Sequence, residues 1–322
     1  MNQADWRTTT DVVEFLAEAG GYLRADPVEN TVLLTVADRL RSTPAPGVTP
    51  APSAPLFGWR TAAATSAATS AATGGGAFVH TPGWPILLSP VTESAAAELA
   101  GVLRNQERDL AGVNAAPTTA EAFATQWRHT ASPEVASHVY QRQRLFRLGE
   151  LTPPARPPGQ ARVATAADRD LLVAWEEAFH TEAENEAQKK TRSKTETRSK
   201  TEARTGTRAR PSSGHAPMVD SRLAYGGQLV WETSDGQLVA TAARTPVVSA
   251  MSRVAPVYTP PAERGKGYGG AVTIAASAAA RTAGATDVVL FTDLANPTSN
   301  ALYQRLGYRR VSDRLLLSFT AA

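Results

Sequence analysis

The chain has 322 residues, 42% hydrophobic and 20% charged, which is enough for two domains of ordinary size with packed cores. The absence of cysteine excludes disulfides, thiolate metal sites and cysteine nucleophiles, and fits a reducing cytoplasm. Of the net charge of +3, a local excess of five sits between Glu184 and Ala216, where nine Lys and Arg face four Asp and Glu; the remainder carries −2, so the basic balance does not signal a nucleic-acid-binding fold.

Met1–Thr10 is polar, without the basic start and apolar run of a leader, and no apolar stretch approaches membrane-spanning length. Thr10 then caps a helix carrying Val12, Val13, Leu16 and Ala19, stopped at Gly20 and Gly21. Strand-like runs follow at Thr31–Val36, Ala77–His80 and Pro85–Ser89, helices at Glu93–Leu103 and Thr118–His129, and a strand at Val139–Leu148. Pro-rich Ser42–Pro55 and the TSAA-containing Thr61–Gly76 read as surface loops. Four prolines in Thr152–Gly159 mark a linker, dividing the chain into 1–151, 152–159 and 160–322.

Beyond the linker, Arg162–Ala164 is a short strand and Asp168 caps a helix with Leu171, Leu172, Trp175 and Phe179 on one face. The segment 184–216 repeats TRSKTE in tandem with almost no apolar residue, the composition of a disordered basic insertion. Strands are expected at Gln228–Trp231 and Leu238–Ala243 around an Asp-Gly turn, then at Arg253–Tyr258. A glycine-rich turn leads into an Ala-rich helix ending at Arg281, before Gly284. Asp287–Thr292 is a buried strand, Pro297 opens a helix, and Tyr308–Val311 with Leu315–Phe319 form a closing strand pair.

The strongest chemical signal is Arg264-Gly265-Lys266-Gly267-Tyr268-Gly269 between strand and helix. Glycines there let successive backbone amides converge on an anion, with the positive end of the helix behind them and Arg264 and Lys266 at the rim. The physical reading is a pyrophosphate cradle. A P-loop is excluded because Lys266 is followed by Gly267 rather than Ser or Thr. Gly265, Gly267 and Gly270 satisfy dinucleotide spacing, but the acid expected some 20 residues on falls at the start of its strand, at Asp287, rather than its end.

Together with a second block, Asn296-Pro297-Thr298-Ser299-Asn300-Ala301-Leu302-Tyr303-Gln304-Arg305-Leu306-Gly307-Tyr308, this sequence resembles the GNAT superfamily of acyl-coenzyme A N-acyltransferases over roughly Gln160–Phe319. The resemblance implies a mixed-sheet α+β fold of the α/β class. It implies acetyl-CoA as acyl donor, its pyrophosphate held by the amides of Arg264–Gly269. It also implies a strand around Val254 and Val257 pairing with the pantetheine arm, Asn296 bonding that arm, and Tyr303 protonating the departing thiolate. Pro256 lacks an N–H, so one side of that strand should be open to such an arm.

The amine must lose a proton, and Glu232 and Asp293, each at a strand end, are the candidate bases. Glu177 and His180 could line the acceptor site, although their helical position favours solvent. The five histidines are scattered, with no metal cluster visible. The N-terminal half repeats the same element order and reads as a second, degenerate GNAT-like domain, since LSPVTESA has no glycine where its loop should lie. The expected function is cytoplasmic N-acetylation of a small-molecule or protein amine, with neither nucleic acid nor membrane as partner; the alternative is an acyl-coenzyme A sensor with little turnover.

Overall fold

One order of elements occurs twice along the chain: strand, helices, three strands, helix, strand, helix, strand. The computed structural model describes residues 6–42, 54–61, 75–130, 135–195 and 215–321; the Pro-rich stretch, the TSAA stretch and most of the basic insertion lie outside them. The first run comprises β1 (Arg7–Thr9), α1 (Val12–Glu18), α2 (Gly20–Ala25), α3 (Thr31–Ser42), β2 (Leu56–Arg60), β3 (Gly76–His80), β4 (Ile86–Leu88), α4 (Glu93–Asn105), β5 (Gly112–Ala115), α5 (Pro117–His129) and β6 (Val135–Leu148). The second comprises β7 (Gln160–Val163), α6 (Arg169–Thr195), α7 (His215–Ala224), β8 (Gln228–Glu232), β9 (Leu238–Arg244), β10 (Met251–Tyr258), α8 (Tyr268–Thr282), β11 (Asp287–Asp293), α9 (Pro297–Arg305) and β12 (Tyr308–Ala321). Both α5 and α9 begin with a proline, whose missing N–H costs nothing in the first turn.

All twelve strands form one mixed sheet in the order β1-β2-β3-β4-β5-β12-β6-β11-β10-β9-β8-β7. The two runs exchange their last strands. Strand β12 enters the first unit between β5 and β6, and β6 enters the second between β12 and β11. Leu315 and Leu317 of β12 therefore lie in the first core with Phe78, Ile86, Leu99 and Phe123. Phe146 and Leu148 of β6 lie in the second, with Val272, Leu290 and Tyr308. Each such buried side chain contributes roughly 1.5–3 kcal/mol, so each unit holds part of its partner's core.

Several expected elements differ. Thr31–Val36 is helical, not extended: Leu33, Leu34 and Ala37 face Phe15, Leu23, Phe57 and Val79, and the Thr35 hydroxyl is absorbed by the Thr31 carbonyl at 2.8 Å. Tertiary burial overrides the strand preference of its β-branched residues. Asp11 rather than Thr10 caps α1, its carboxylate accepting from the Val13 amide at 2.7 Å, and Gly20 opens α2 instead of ending a helix. The closing pair is a single strand. Ser312–Arg314 stays extended against β6, with Asp313 accepting from Arg144 at 2.8 Å. The basic insertion does not begin as coil, because α6 continues to Thr195 through a run of Glu, Ala, Gln and Lys with high helix propensity, and α7 starts at His215. Strands β1, β2 and β5 were not anticipated.

Exchanged strands make the two cores one cooperative unit. Calorimetry of the whole chain is expected to show a single unfolding transition with matching calorimetric and van't Hoff enthalpies; two separable transitions would contradict the exchange.

Candidate active site

Strands β10 and β11 are parallel and pair only from Met251↔Asp287 to Arg253↔Val289. Beyond that they part. Strand β10 runs on to Tyr258 beside β9 alone, and its register with β9 also breaks between Val254 and Val257, around Pro256. Val254 is buried towards α8, while Val257 is half-buried at the opening. The result is a wedge between two neighbouring strands with backbone groups left on its walls.

A short 3-10 turn, Pro261–Glu263, carries the chain from the end of β10 to the glycine loop at the mouth of this wedge. Gly265 and Gly267 have φ of +79° and +88°, a region where a side chain is strained, and Gly267 is the N-cap of α8. No side chain caps that helix, and the amides of residues 265 to 270 bond to no described residue. Six adjacent unpartnered donors at a helix start are suited to a polyanion. The rim cations are already engaged: Arg264 donates to Glu182 of α6 at 2.6 Å, and Lys266 to Glu263 at 3.0 Å. Tyr268 contributes its amide only, because its ring is in the core.

Across the wedge, α9 is fixed to the end of β11 by Asn300. Its side chain accepts from Thr292 at 2.7 Å and donates to the carbonyls of Asp293 and Asn296 at 2.9 and 2.7 Å. Asn296 caps α9, accepting from the Ser299 amide at 3.0 Å. That anchorage sets the phase of Tyr303, which is buried in the core with its ring 6.0 Å from Tyr308. Burial pushes the Tyr303 hydroxyl up to about 12, so it holds its proton at neutral pH.

Residues 196–308 match the acetyltransferase (GNAT) family model. Solved structures share the fold of nearly the whole chain. A Drosophila protein is 13% identical with a TM-score of 0.61, covering 99% of both chains. A GCN5-related N-acetyltransferase from Sphaerobacter thermophilus is 12% identical with a TM-score of 0.55, covering 98% of this chain and 95% of its own. A GNAT-family acetyltransferase from Colwellia psychrerythraea is 9% identical with a TM-score of 0.53, covering 99% and 100%. No curated protein matches the chain in sequence.

In the first unit β4 and β5 are likewise parallel and pair only briefly, at Ile86↔Val113 and Leu87↔Asn114. There Arg314 of β12 bridges the two strands. Its buried guanidinium donates to the Leu88 carbonyl at 2.8 Å, the Asn114 carbonyl at 3.1 Å and the Asn114 side chain at 3.0 Å. The start of α4 is also capped, by the Thr92 hydroxyl, with Glu93 in the first turn where an anion would sit.

The remaining expected residues are spread out. Asp293 ends β11 about level with Val257 and accepts from the Ala295 amide at 2.8 Å. Glu232 lies two strands from the wedge, on the order of 10 Å away by sheet spacing, and binds Arg162 at 2.8 Å. Glu177 is exposed, whereas Glu176, passed over in the sequence, is buried. The histidines are not all scattered: His180 and His215 stack at 4.7 Å, and their ring nitrogens and the Glu176 carboxylate lie within 4.8 Å of one another. Arg222 already binds Glu176 at 2.7 Å, so this group contains a cation of its own. Burial alone would raise the Glu176 carboxyl, but His180 and Arg222 outweigh it and hold it at about 2. Glu176 and His180 stand four residues apart on α6, but His215 lies across the insertion, so sequence spacing carried no signal for the whole cluster.

Glu182 competes with any anion at the glycine loop for Arg264. A Glu182→Gln protein should bind inorganic pyrophosphate two- to fivefold more tightly at low salt, about 0.5–1 kcal/mol for a half-exposed pair, with the gain shrinking in 0.5 M salt. Calorimetric titration reads it, and an unchanged or weaker affinity counts against an anion site there.

Proposed function

We propose that the chain is a cytoplasmic N-acetyltransferase that moves an acetyl group from acetyl-CoA to a primary amine, with all chemistry in the unit from residue 160 onward. The observation that carries this reading is the run of unpartnered amides at residues 265 to 270, aimed from the start of α8 at the mouth of an open strand wedge. When bound, acetyl-CoA supplies an activated thioester. The residues present suit it: the loop amides of Arg264–Gly269 with Arg264 and Lys266 for the pyrophosphate, and the free edge of β10 around Val254 and Val257 for the arm. The half-buried Asn296, whose oxygen caps α9, borders the arm through its amide nitrogen.

In the transfer, the amine nitrogen forms a bond to the thioester carbonyl carbon and the carbon–sulfur bond breaks. Tyr303 gives its proton to the departing thiolate; its raised affinity for that proton keeps it loaded at neutral pH. The proton lost by the amine goes to Asp293. Alternation along β11 puts Asp293 on the same face as Val289 and Phe291, opposite the α8 side where Val288 and Leu290 pack. Glu232 is not assigned this role, because Arg162 holds it at the far side of the sheet.

The first unit, 1–151 up to the linker at 152–159, binds no acyl-coenzyme A in this proposal, because Arg314 and Thr92 occupy its wedge and helix start. Calorimetric titration with acetyl-CoA should therefore give one site per chain, abolished in Gly267→Arg. Tyr303→Phe should keep that binding and lower kcat at least tenfold on an amine panel. Two sites would overturn the assignment of the first unit. Binding without turnover would make the protein an acyl-coenzyme A sensor, and no binding would remove the enzyme reading altogether.

A further inference from the structure

Arg253 is the last residue of β10 paired with β11 and stands at the apex of the wedge. Alternation puts it on the face of Met251, which packs with Val28, Leu145 and Val289, away from α8. That is the face on which Asp293 lies, with α3 of the first unit beside it. Ala255, two residues further, is exposed although β10 is an internal strand, so the floor beyond Arg253 is open.

Arg253 is poorly used as a structural residue. One terminal nitrogen, Nη1, donates to the hydroxyls of Thr31 and Thr35 at 3.4 and 3.2 Å. The Nε–Nη2 edge bonds to no described residue, and no described carboxylate lies within salt-bridge distance. Arg314 offers the contrast. Unlike the half-buried Arg253, it is fully buried without a carboxylate, and its guanidinium is spent on three oxygens at 2.8–3.1 Å. Burial and the nearby charge of Arg222 lower Arg253 to about 10, which leaves it charged at neutral pH. Arg253 is half-buried, so its unspent edge is open to a ligand. That edge fits a carboxylate or phosphate through two parallel hydrogen bonds.

We infer that Arg253 anchors the acceptor by an anionic group, so that the amine acetylated is a small molecule carrying a carboxylate or a phosphate. The inference rests on the acetyltransferase reading above and narrows its acceptor. Thr31 and Thr35 bring α3 of the first unit to that site, which gives the non-binding unit a place in acceptor recognition. A signal existed in the sequence: Arg253 is the one charged residue in MSRVAPVY, the strand β10.

The test uses the full chain, after titration with acetyl-CoA has checked the parent reading on its own. Succinate and inorganic phosphate, as amine-free probes at constant ionic strength, are titrated into wild type, Arg253→Gln, Arg253→Lys and a charge-matched control, Arg128→Gln. Saturable binding of at least one probe is expected in wild type and the control, tenfold or more weaker in Arg253→Gln and intermediate in Arg253→Lys. Which probe binds separates carboxylate from phosphate. In turnover, amino acids should exceed their methyl esters at least tenfold in kcat/KM if the carboxylate is recognised, and amino-alkyl phosphates their alcohols if the phosphate is, with the ratio collapsing in Arg253→Gln. Equal anion binding in wild type and Arg253→Gln, no saturable binding, or neutral amines turned over as well as anionic ones would overturn the inference while leaving acetyl-CoA binding intact. If Arg253→Gln does not fold, the wild-type and Arg253→Lys comparison decides.

Discussion

The antiparallel pairing of β6 with β12 is the constraint on which the rest of the structure depends. Thirteen residue pairs, from Tyr308↔Leu148 to Ala321↔Val135, join the two units at the middle of the sheet. Because each of these strands also borders the other unit's β5 or β11, one wall of each wedge is backed by a strand of the other unit. The opening between β10 and β11 is thus held in shape by β6 behind β11, and the sealed one between β4 and β5 by β12.

Each unit has a short parallel strand pairing at this place, and two arginines treat the two pairings differently. Arg314 reaches in from the exchanged strand and spends its donors on carbonyls that a ligand would otherwise meet. Arg253 stands at the equivalent fork in the second unit with most of its donors unspent. The second unit keeps an uncapped glycine loop, and α3 of the first stands against Arg253.

Much of this was readable from residues alone. The glycine loop, the buried VVLF strand and the Pro297 helix start are local features, set by φ preferences, a missing N–H and continuous apolarity, and all three stand where the sequence put them. What failed depended on partners distant in the chain. Thr31–Val36 has strand-forming residues but is helical because its buried face meets β2 and β3. Ser312–Asp313–Arg314 looks like a turn and stays extended only because Arg144, Asn114 and Leu88 receive it. Glu176, His180 and His215 are brought together across the insertion, a closure that sequence spacing does not report. Strands β1, β2 and β5 are three to five residues long, too short for periodicity to identify.

The exchange also sets an order of events during synthesis. Arg314 and Asn114 are 200 positions apart, yet they share one hydrogen-bonded site. At about 5–20 residues per second, the first unit waits on the order of 10–40 seconds on the ribosome before the strand that closes it emerges. Through that interval the places of Leu315 and Leu317 in its core are empty, and the edges of β5 and β6 are unpaired. A first unit that cannot finish folding early keeps that apolar surface and those edges open for the interval, and a ribosome stalled before β12 leaves two incomplete domains rather than one complete and one missing.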